Sequence, residues 1–223
     1  MIRKPVCFVF GAGQPPTSPP MITAQDLVIA ADGGYIYTQS AGIRTDTLIG
    51  DFDSLGVPPD QEKDGLLVLR LPKEKDQTDL MAALQYGLES GFTLFHIYGG
   101  TGGRLDHTLA NIQCLAFLLS RGARGYLYDS DTVVTALKGE IWLAARQSGV
   151  ISIFALGGTA EGVCLRGLKY ELKNARLSYD FPLGISNTFT GHPVYIKAKR
   201  GVLLVVYPTG TRELDTEKMH NEY

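Results

Sequence analysis

The stretch "TLFHIYGGTGGRLDHTLANIQCLAFLLSRG", residues 93–122, contains a short apolar run, a glycine-rich link and a long segment of helical spacing. The run 93–98 is mostly apolar without alternation, as expected for a strand covered on both faces of a parallel sheet. The link offers backbone N–H groups with almost no side-chain bulk around them. In the segment after it, Leu105, Leu109, Ile112 and Ala116 recur on one predicted stripe that ends at Gly122. Strand, glycine loop and helix in succession form the repeating unit of an α/β fold.

The same alternation extends outward. Continuous apolar runs occur at 6–10, 27–31, 47–49, 66–71 and 125–129. "TDLMAALQYGLESG" (78–91) places Leu80, Leu84 and Leu88 on one predicted helical face, with Asp76 expected as N-cap and Asp79 at N3. Beyond about residue 131 the pattern changes. "DTVVTAL", "EIWLAA", "GVISIFAL", "GVCLRGL", "YELKNARLSY", "VYIKAK" and "GVLLVVYP" are short, rich in β-branched and aromatic residues, and punctuated by turn residues. They predict a small β-sandwich or barrel. The expectation is therefore an α/β N-terminal domain with a mostly parallel sheet (1–132), an all-β C-terminal domain (133–212) and a polar, fraying tail (213–223).

Composition narrows the function. The chain has 223 residues, 44% hydrophobic and 20% charged, with a net charge of −2, an ordinary balance for a globular protein with a real core. The absence of a basic excess argues against general nucleic-acid binding. No apolar run is long enough to span a bilayer, and the start lacks the h-region of a signal peptide. Cys7, Cys114 and Cys164 are odd in number and set in apolar segments, which reads as reduced thiols in a cytoplasmic protein. Trp142, in a predicted strand, reads as core.

Polar residues gather where the predicted strands end. Asp32, Gly33 and Gly34 follow one, and Asp51 and Asp53 another. Lys73, Lys75, Asp76 and Asp79 follow a third. After the strand at 93–98 come Gly99, Gly100, Gly102 and Gly103, then Arg104, Asp106 and His107. In open α/β sheets this rim is where ligands bind. Each group alone has a structural reading, as a turn, a helix start or a hydrogen-bonded helix residue.

Asp51 and Asp53 demand more. Two residues apart on an extended segment, both carboxylates point to one side and Phe52 to the other, as an inward anchor. At about 4 Å and an effective dielectric near 20 they repel by roughly 4 kcal/mol. Separation at the surface, a shared proton or a divalent cation would relieve that, and hard oxygen donors suit Mg²⁺. With Lys75, Arg104 and a glycine loop, the set matches phosphoryl or pyrophosphoryl transfer. There is no Walker A loop, and "GAGQPP" (11–16) lacks the third glycine of a dinucleotide fingerprint. Nucleophile elbow, zincin and paired C-x-x-C motifs are also missing. "DFDS" shares the D-x-D spacing of some phosphatases, but the glycine loop and the Asp/Lys-rich rim suit nucleotide binding better.

In order and spacing, "ADGG" (31–34), "GDFDS" (50–54), "KDQTD" (75–79), "GGRLDHTLAN" (102–111), "GLKY" (167–170) and "GISN" (184–187) resemble the blocks of the thiamine pyrophosphokinases. The resemblance covers nearly the whole chain. It implies an N-terminal domain binding ATP, a C-terminal domain helping to bind thiamine, and a homodimer with active sites at the interface. It implies magnesium held by Asp51, Asp53 and Asp79. Asp32, Gly33, Gly34, Asp76, Gly102 and Gly103 would then shape the nucleotide site. Lys75 and Arg104 would neutralise the triphosphate, and Asp106 or His107 would lie beside the phosphates and orient or deprotonate the nucleophile. Ser186 and Asn187, on a turn between strands, would reach the pyrimidine of thiamine through side-chain or backbone hydrogen bonds. Tyr35 departs from the small residues common at its position. A pyrophosphokinase acting on another hydroxymethyl heterocycle such as a pterin, and a nucleotide-binding sensor without turnover, are the alternatives; "GISN" and "GLKY" favour thiamine.

Overall fold

A computed structural model describes residues 3–55, 65–74 and 76–222, the last three without their side chains. Two compact units divide the chain, Met1–Ser130 and Asp131–Tyr223.

In the first unit each expected apolar run becomes a strand: β1 (Cys7–Phe10), β2 (Leu27–Ala31), β3 (Thr47–Gly50), β4 (Leu67–Arg70), β5 (Leu94–Tyr98) and β6 (Arg124–Tyr128). All neighbours are parallel, in the order β6-β5-β1-β2-β3-β4. The helices α1 (Gly34–Ser40), α2 (Asp79–Glu89) and α3 (Leu105–Ser120) link β2 to β3, β4 to β5 and β5 to β6. Chain direction across the sheet reverses between β1 and β5, which makes the carboxyl ends of those two strands the switch point of the fold.

Alternation along each strand sends neighbouring side chains to opposite faces. Cys7, Phe95 and Ile97 face α2 and α3. A Cβ on Gly87 of α2 would meet the Phe95 ring at 2.6 Å, and one on Gly125 would meet Leu118 of α3 at 2.7 Å. Phe8, Phe10 and Tyr98 face the other way, with Tyr37 of α1 against Phe10. Tyr98 and Tyr128 stack there with centroids 4.6 Å apart. Burial among these rings pulls the His96 pKa down to about 4.

Two local expectations change. Thr78, not Asp76, caps α2: its Oγ1 accepts the Met81 N–H at 3.2 Å, and Asp79 is the first helical residue. The stripe expected on α3 is also rotated. Leu105 and Leu109 are exposed at 72% and 56%, while Asn111, Cys114, Leu115 and Leu118 are buried. Periodicity alone cannot tell which of two apolar stripes meets the sheet when most of a helix is apolar.

The second unit is a mostly β sandwich. Its spine is the antiparallel pair β7 (Thr132–Leu143) and β12 (Val194–Pro208). The first part of β12 also pairs with β9 (Ala160–Arg166), which pairs with β10 (Leu172–Leu177). The later part pairs with β8 (Val150–Ala155), which pairs with β11 (Gly184–Thr188). Four of the expected short strands thus fuse into two long ones. Gly139 and Gly201, at φ 87° and 85°, flank a register shift between Ala198 and Leu203 instead of ending the strands.

Trp142 is core, packed on Tyr195 and Met219. The tail expected to fray instead forms β13 (Glu213–Leu214), paired to β7, and α4 (Thr216–Glu222), because Leu214 and Met219 give it apolar contacts on Trp142 and Tyr195. Cys7 and Cys114 are buried free thiols and Cys164 is half-buried. Burial raises the Cys114 thiol to about 11. Among the described residues, no helix is long and apolar enough to cross a membrane.

Candidate functional site

The floor of the site is backbone. Just past β1 and β5, the Gly11 N–H donates to the Tyr98 carbonyl, the Gly13 N–H to Gly99 and the Gln14 N–H to Thr101, at 2.7–2.8 Å. This stapling needs glycine. A Cβ on Gly11 would lie 2.7 Å from the Gly99 oxygen, as would one on Gly13. Asn111, 5% exposed, reaches from α3 to donate its Nδ2 to the Gly100 carbonyl at 2.8 Å, and Thr101 Oγ1 donates to Asp129 at 2.8 Å. These contacts hold the two glycine loops as one rigid surface at the switch point.

Acids stand along the wall. Parallel register sets Ala31 opposite Ile49, so the residues that follow, Asp32 and Gly50-Asp51, leave the sheet side by side. The Asp32 N–H donates to the Ile49 carbonyl at 2.8 Å. Asp32 and Phe52 both have positive φ, 46° and 66°, a costly backbone for side chains of their kind. The segment 51–53 is therefore a turn, not the extended stretch expected, with the Asp53 N–H donating to Asp51 Oδ1 at 3.1 Å. Phe52 is the inward anchor nonetheless. It is 4% exposed, packed with Ala30, Leu48 and Leu66, and the Arg70 guanidinium lies 4.9 Å from its ring centroid.

Carboxylate oxygens of Asp32, Asp51 and Asp53 all lie within 4.8 Å of one another. Asp79 lines the same cleft but is outside this trio among the described residues. Of the three acids that the resemblance implies for magnesium, Asp51 and Asp53 converge together with Asp32, and Asp79 stands in the same cleft. Oδ1 of Asp32 is buried with no hydrogen-bond partner.

The cleft that these residues line, with Lys73, Gln77, Gly103, Arg104, His107 and Asn111, has a volume of about 610 Å³. Arg104, at the N-cap of α3, is exposed and grips Asp106 with Nε and Nη2 at 3.2 and 2.6 Å. That bidentate bond raises the Arg104 pKa and lowers that of Asp106. Asp106 and Asp76 do not line the cleft. Gly33 and Gly34 let α1 approach the chain after β1, where a Cβ on Gly33 would meet that of Ala12 at 2.9 Å and one on Gly34 would strike the Phe10 carbonyl. Gly102, at φ 76°, packs on Gln14. Lys75 lies outside the described residues.

Gly11, Gly13 and Asn111 are among the lining residues that sequence reasoning did not select. The signal for the first two was present, since a glycine pair directly follows β1, but it was weighed only as a dinucleotide fingerprint. Asn111 gives no such signal.

In the second unit Ser186 and Asn187 lie within β11, at an irregularity in its pairing with β8, rather than on a turn. Ser186 is exposed at φ 56°, and its N–H donates to Ser152 Oγ at 3.0 Å. Asn187 is 3% exposed. Its Oδ1 accepts the N–H groups of Tyr170 and Thr188 at 3.0 and 2.9 Å, and its Nδ2 donates to the Tyr170 carbonyl at 2.7 Å. The Asn187 side chain thus binds the "GLKY" turn.

Comparison with known proteins matches both units. The family model for the thiamin pyrophosphokinase catalytic domain matches residues 19–127, and that for the thiamin pyrophosphokinase vitamin B1 binding domain matches 141–203. The chain is 30% identical over 187 residues to thiamine pyrophosphokinase of Bacillus subtilis (strain 168), covering 82% of this chain and 87% of that protein. It is 26% identical over 172 residues to thiamin pyrophosphokinase 1 of Caenorhabditis elegans, covering 71% and 68%. The crystal structure of the Bacillus subtilis thiamine pyrophosphokinase superposes with a TM-score of 0.79 at 28% identity, covering 93% of this chain and 100% of that one. For that of the Geobacillus thermodenitrificans thiamin pyrophosphokinase the TM-score is 0.77 at 26% identity, with 92% and 97% covered.

Proposed function

This chain belongs to the thiamin pyrophosphokinase family, and we propose that it transfers the pyrophosphoryl group of ATP to the hydroxyl of thiamine, releasing AMP. The observation that carries this reading is the trio Asp32, Asp51 and Asp53, converged within 4.8 Å beside a glycine-walled cleft.

The trio suits magnesium. Its donors are all hard oxygens, and a buried carboxylate oxygen without a hydrogen bond is costly unless a cation or water satisfies it. Asp32, Asp51 and Asp53 would hold the ion, which when bound neutralises phosphate charge and makes the phosphorus more electrophilic.

The remaining work belongs to the chain. Backbone N–H groups of the glycine loop after β5 would donate to phosphate oxygens, and Lys73, Lys75 and Arg104 would offset the triphosphate charge. The thiamine oxygen attacks the β-phosphorus, and the bond to the α-phosphate oxygen breaks as AMP departs. Of the two groups considered for the hydroxyl proton, His107 lines the cleft whereas Asp106 is occupied by Arg104; this favours His107. The reading includes a homodimer, supported by the exposed Tyr179, Phe181, Leu183 and Ile185 of the second unit, an apolar set of the kind that a partner covers.

Product analysis tests the reaction. Protein with Mg-ATP and thiamine should yield AMP and thiamine diphosphate in equal amounts. ADP as the product, or AMP release that ignores thiamine, would overturn the reading.

A further inference from the structure

The strained turn that brings the acids together is also fastened from outside the cleft. Phe52, between Asp51 and Asp53, sits at φ 66°, a backbone that such a residue keeps only where its surroundings fix it. On the core side, Ala30, Leu48 and Leu66 pack on it. On the solvent side stands Arg70. Parallel pairing of β3 and β4 sets Arg70 opposite Gly50, the residue before Asp51, and the Leu71 N–H donates to the Gly50 carbonyl at 2.8 Å. The Arg70 guanidinium lies over the Phe52 ring, 4.9 Å from its centroid. Arg70 is exposed and the ring is buried, so the guanidinium shields the ring from water. Among the described residues Arg70 forms no ion pair, and it does not line the cleft.

A cation in this place has two opposed effects on a metal ion held by the trio. Its charge repels Mg²⁺ and weakens binding. Its contact with Phe52 favours the turn in which Asp51 and Asp53 converge on Asp32, and that strengthens binding. Water and salt screen the charge of an exposed guanidinium, whereas its contact with the ring is direct. We propose that Arg70 is a positioning residue for the acid trio, acting through Phe52, and that the second effect wins. The inference rests on reading the trio as the magnesium site. It adds to that site a residue from β4 that lies outside every motif quoted above and touches neither metal nor substrate.

Mn²⁺ titration followed by electron paramagnetic resonance, without nucleotide, reads the site apart from activity. Arg70→Ala should weaken Mn²⁺ binding about two- to fivefold and raise the Mg²⁺ concentration needed for half-maximal turnover, at unchanged KM for thiamine. Arg70→Met covers the ring without a charge and should bind Mn²⁺ at least as tightly as wild type. Equal or tighter binding by Arg70→Ala would overturn the proposal, because a mere nearby charge acts in that direction. Arg70→Met binding no better than Arg70→Ala would also overturn it, since covering the ring would then do nothing. A raised KM for ATP at saturating Mg²⁺, with Mn²⁺ binding intact, would make Arg70 a phosphate contact instead. If wild type and Asp51→Asn bind Mn²⁺ equally, the metal reading itself fails and the role of Arg70 falls with it.

Discussion

Asp32 and Asn187 are both polar side chains held inside the protein, and they meet opposite fates. Oδ1 of Asp32 is buried without a hydrogen bond, next to two more carboxylates. Asn187 is buried with its amide spent on three backbone groups. Around Asp32 the chain accepts positive φ at two non-glycine residues and a crowd of like charge, neither of which stabilises the fold. The hydrogen bonds of the Asn187 amide add to cohesion. Unspent hydrogen-bonding capacity held at a cost in stability marks a place for a ligand; the same residue types fully paired mark a place where the fold is being held.

The largest effect should come from breaking the first of these. Asp51→Asn removes one charge from the trio, so turnover should fall by about 10²–10³ if magnesium is held there. Without metal the variant should melt no lower than wild type, and higher if relief of repulsion dominates. Melting curves with and without Mg²⁺ give the second reading. Mg²⁺ should raise the midpoint of the wild type and not that of the variant. Near-normal turnover, or an undiminished Mg²⁺ shift, would remove Asp51 from the metal site.

Next in size is the opposite member of the comparison. Asn187→Ala leaves two N–H groups and one carbonyl of the "GLKY" and β11 backbone without their partner. Losing a set of this kind costs about 3 kcal/mol, read as a lower midpoint in urea unfolding at an unchanged slope. Where the protein remains folded, the thiamine requirement should move little. A large rise in that requirement with intact stability would show that Asn187 serves a ligand after all.

How much of this contrast was legible beforehand depended on distance along the chain. The strands of the first unit were visible because continuous apolar runs identify a sheet covered on both faces. The pairing of Asp51 with Asp53 was visible from adjacent residues. Asp32 was noticed as part of a rim, but its convergence on Asp51 follows from the register of β2 on β3, which spacing does not encode. The bond from Asn187 to Tyr170 was hidden for the same reason, because Tyr170 belongs to another segment. In β7 and β12 glycine was taken as an end, whereas a glycine at positive φ serves equally as a bulge inside a strand. The buried face of α3 was missed because Asn111, a polar residue, lies on it to fasten the Gly100 carbonyl.

Ser186 gives the smallest effect and the finest test, since it shares features of both regions. Like Asp32 and Phe52 it has positive φ, 56°, and like Asp53 it is exposed. Its backbone N–H, however, is used on Ser152 Oγ, as Asn187 uses its amide. Two substitutions separate hydroxyl from backbone. Ser186→Ala removes the hydroxyl and keeps the strained conformation. Ser186→Gly removes the hydroxyl and relieves the strain, which should raise stability by about 1 kcal/mol. If the hydroxyl contacts the acceptor, both variants should raise the KM for thiamine a few-fold at unchanged KM for ATP, and only the glycine variant should melt higher. If the thiamine KM rises in the glycine variant alone, the rigid backbone matters and the hydroxyl does not. A rise in the ATP requirement instead would place Ser186 outside the acceptor site, because a hydroxyl that contacts thiamine acts on thiamine first.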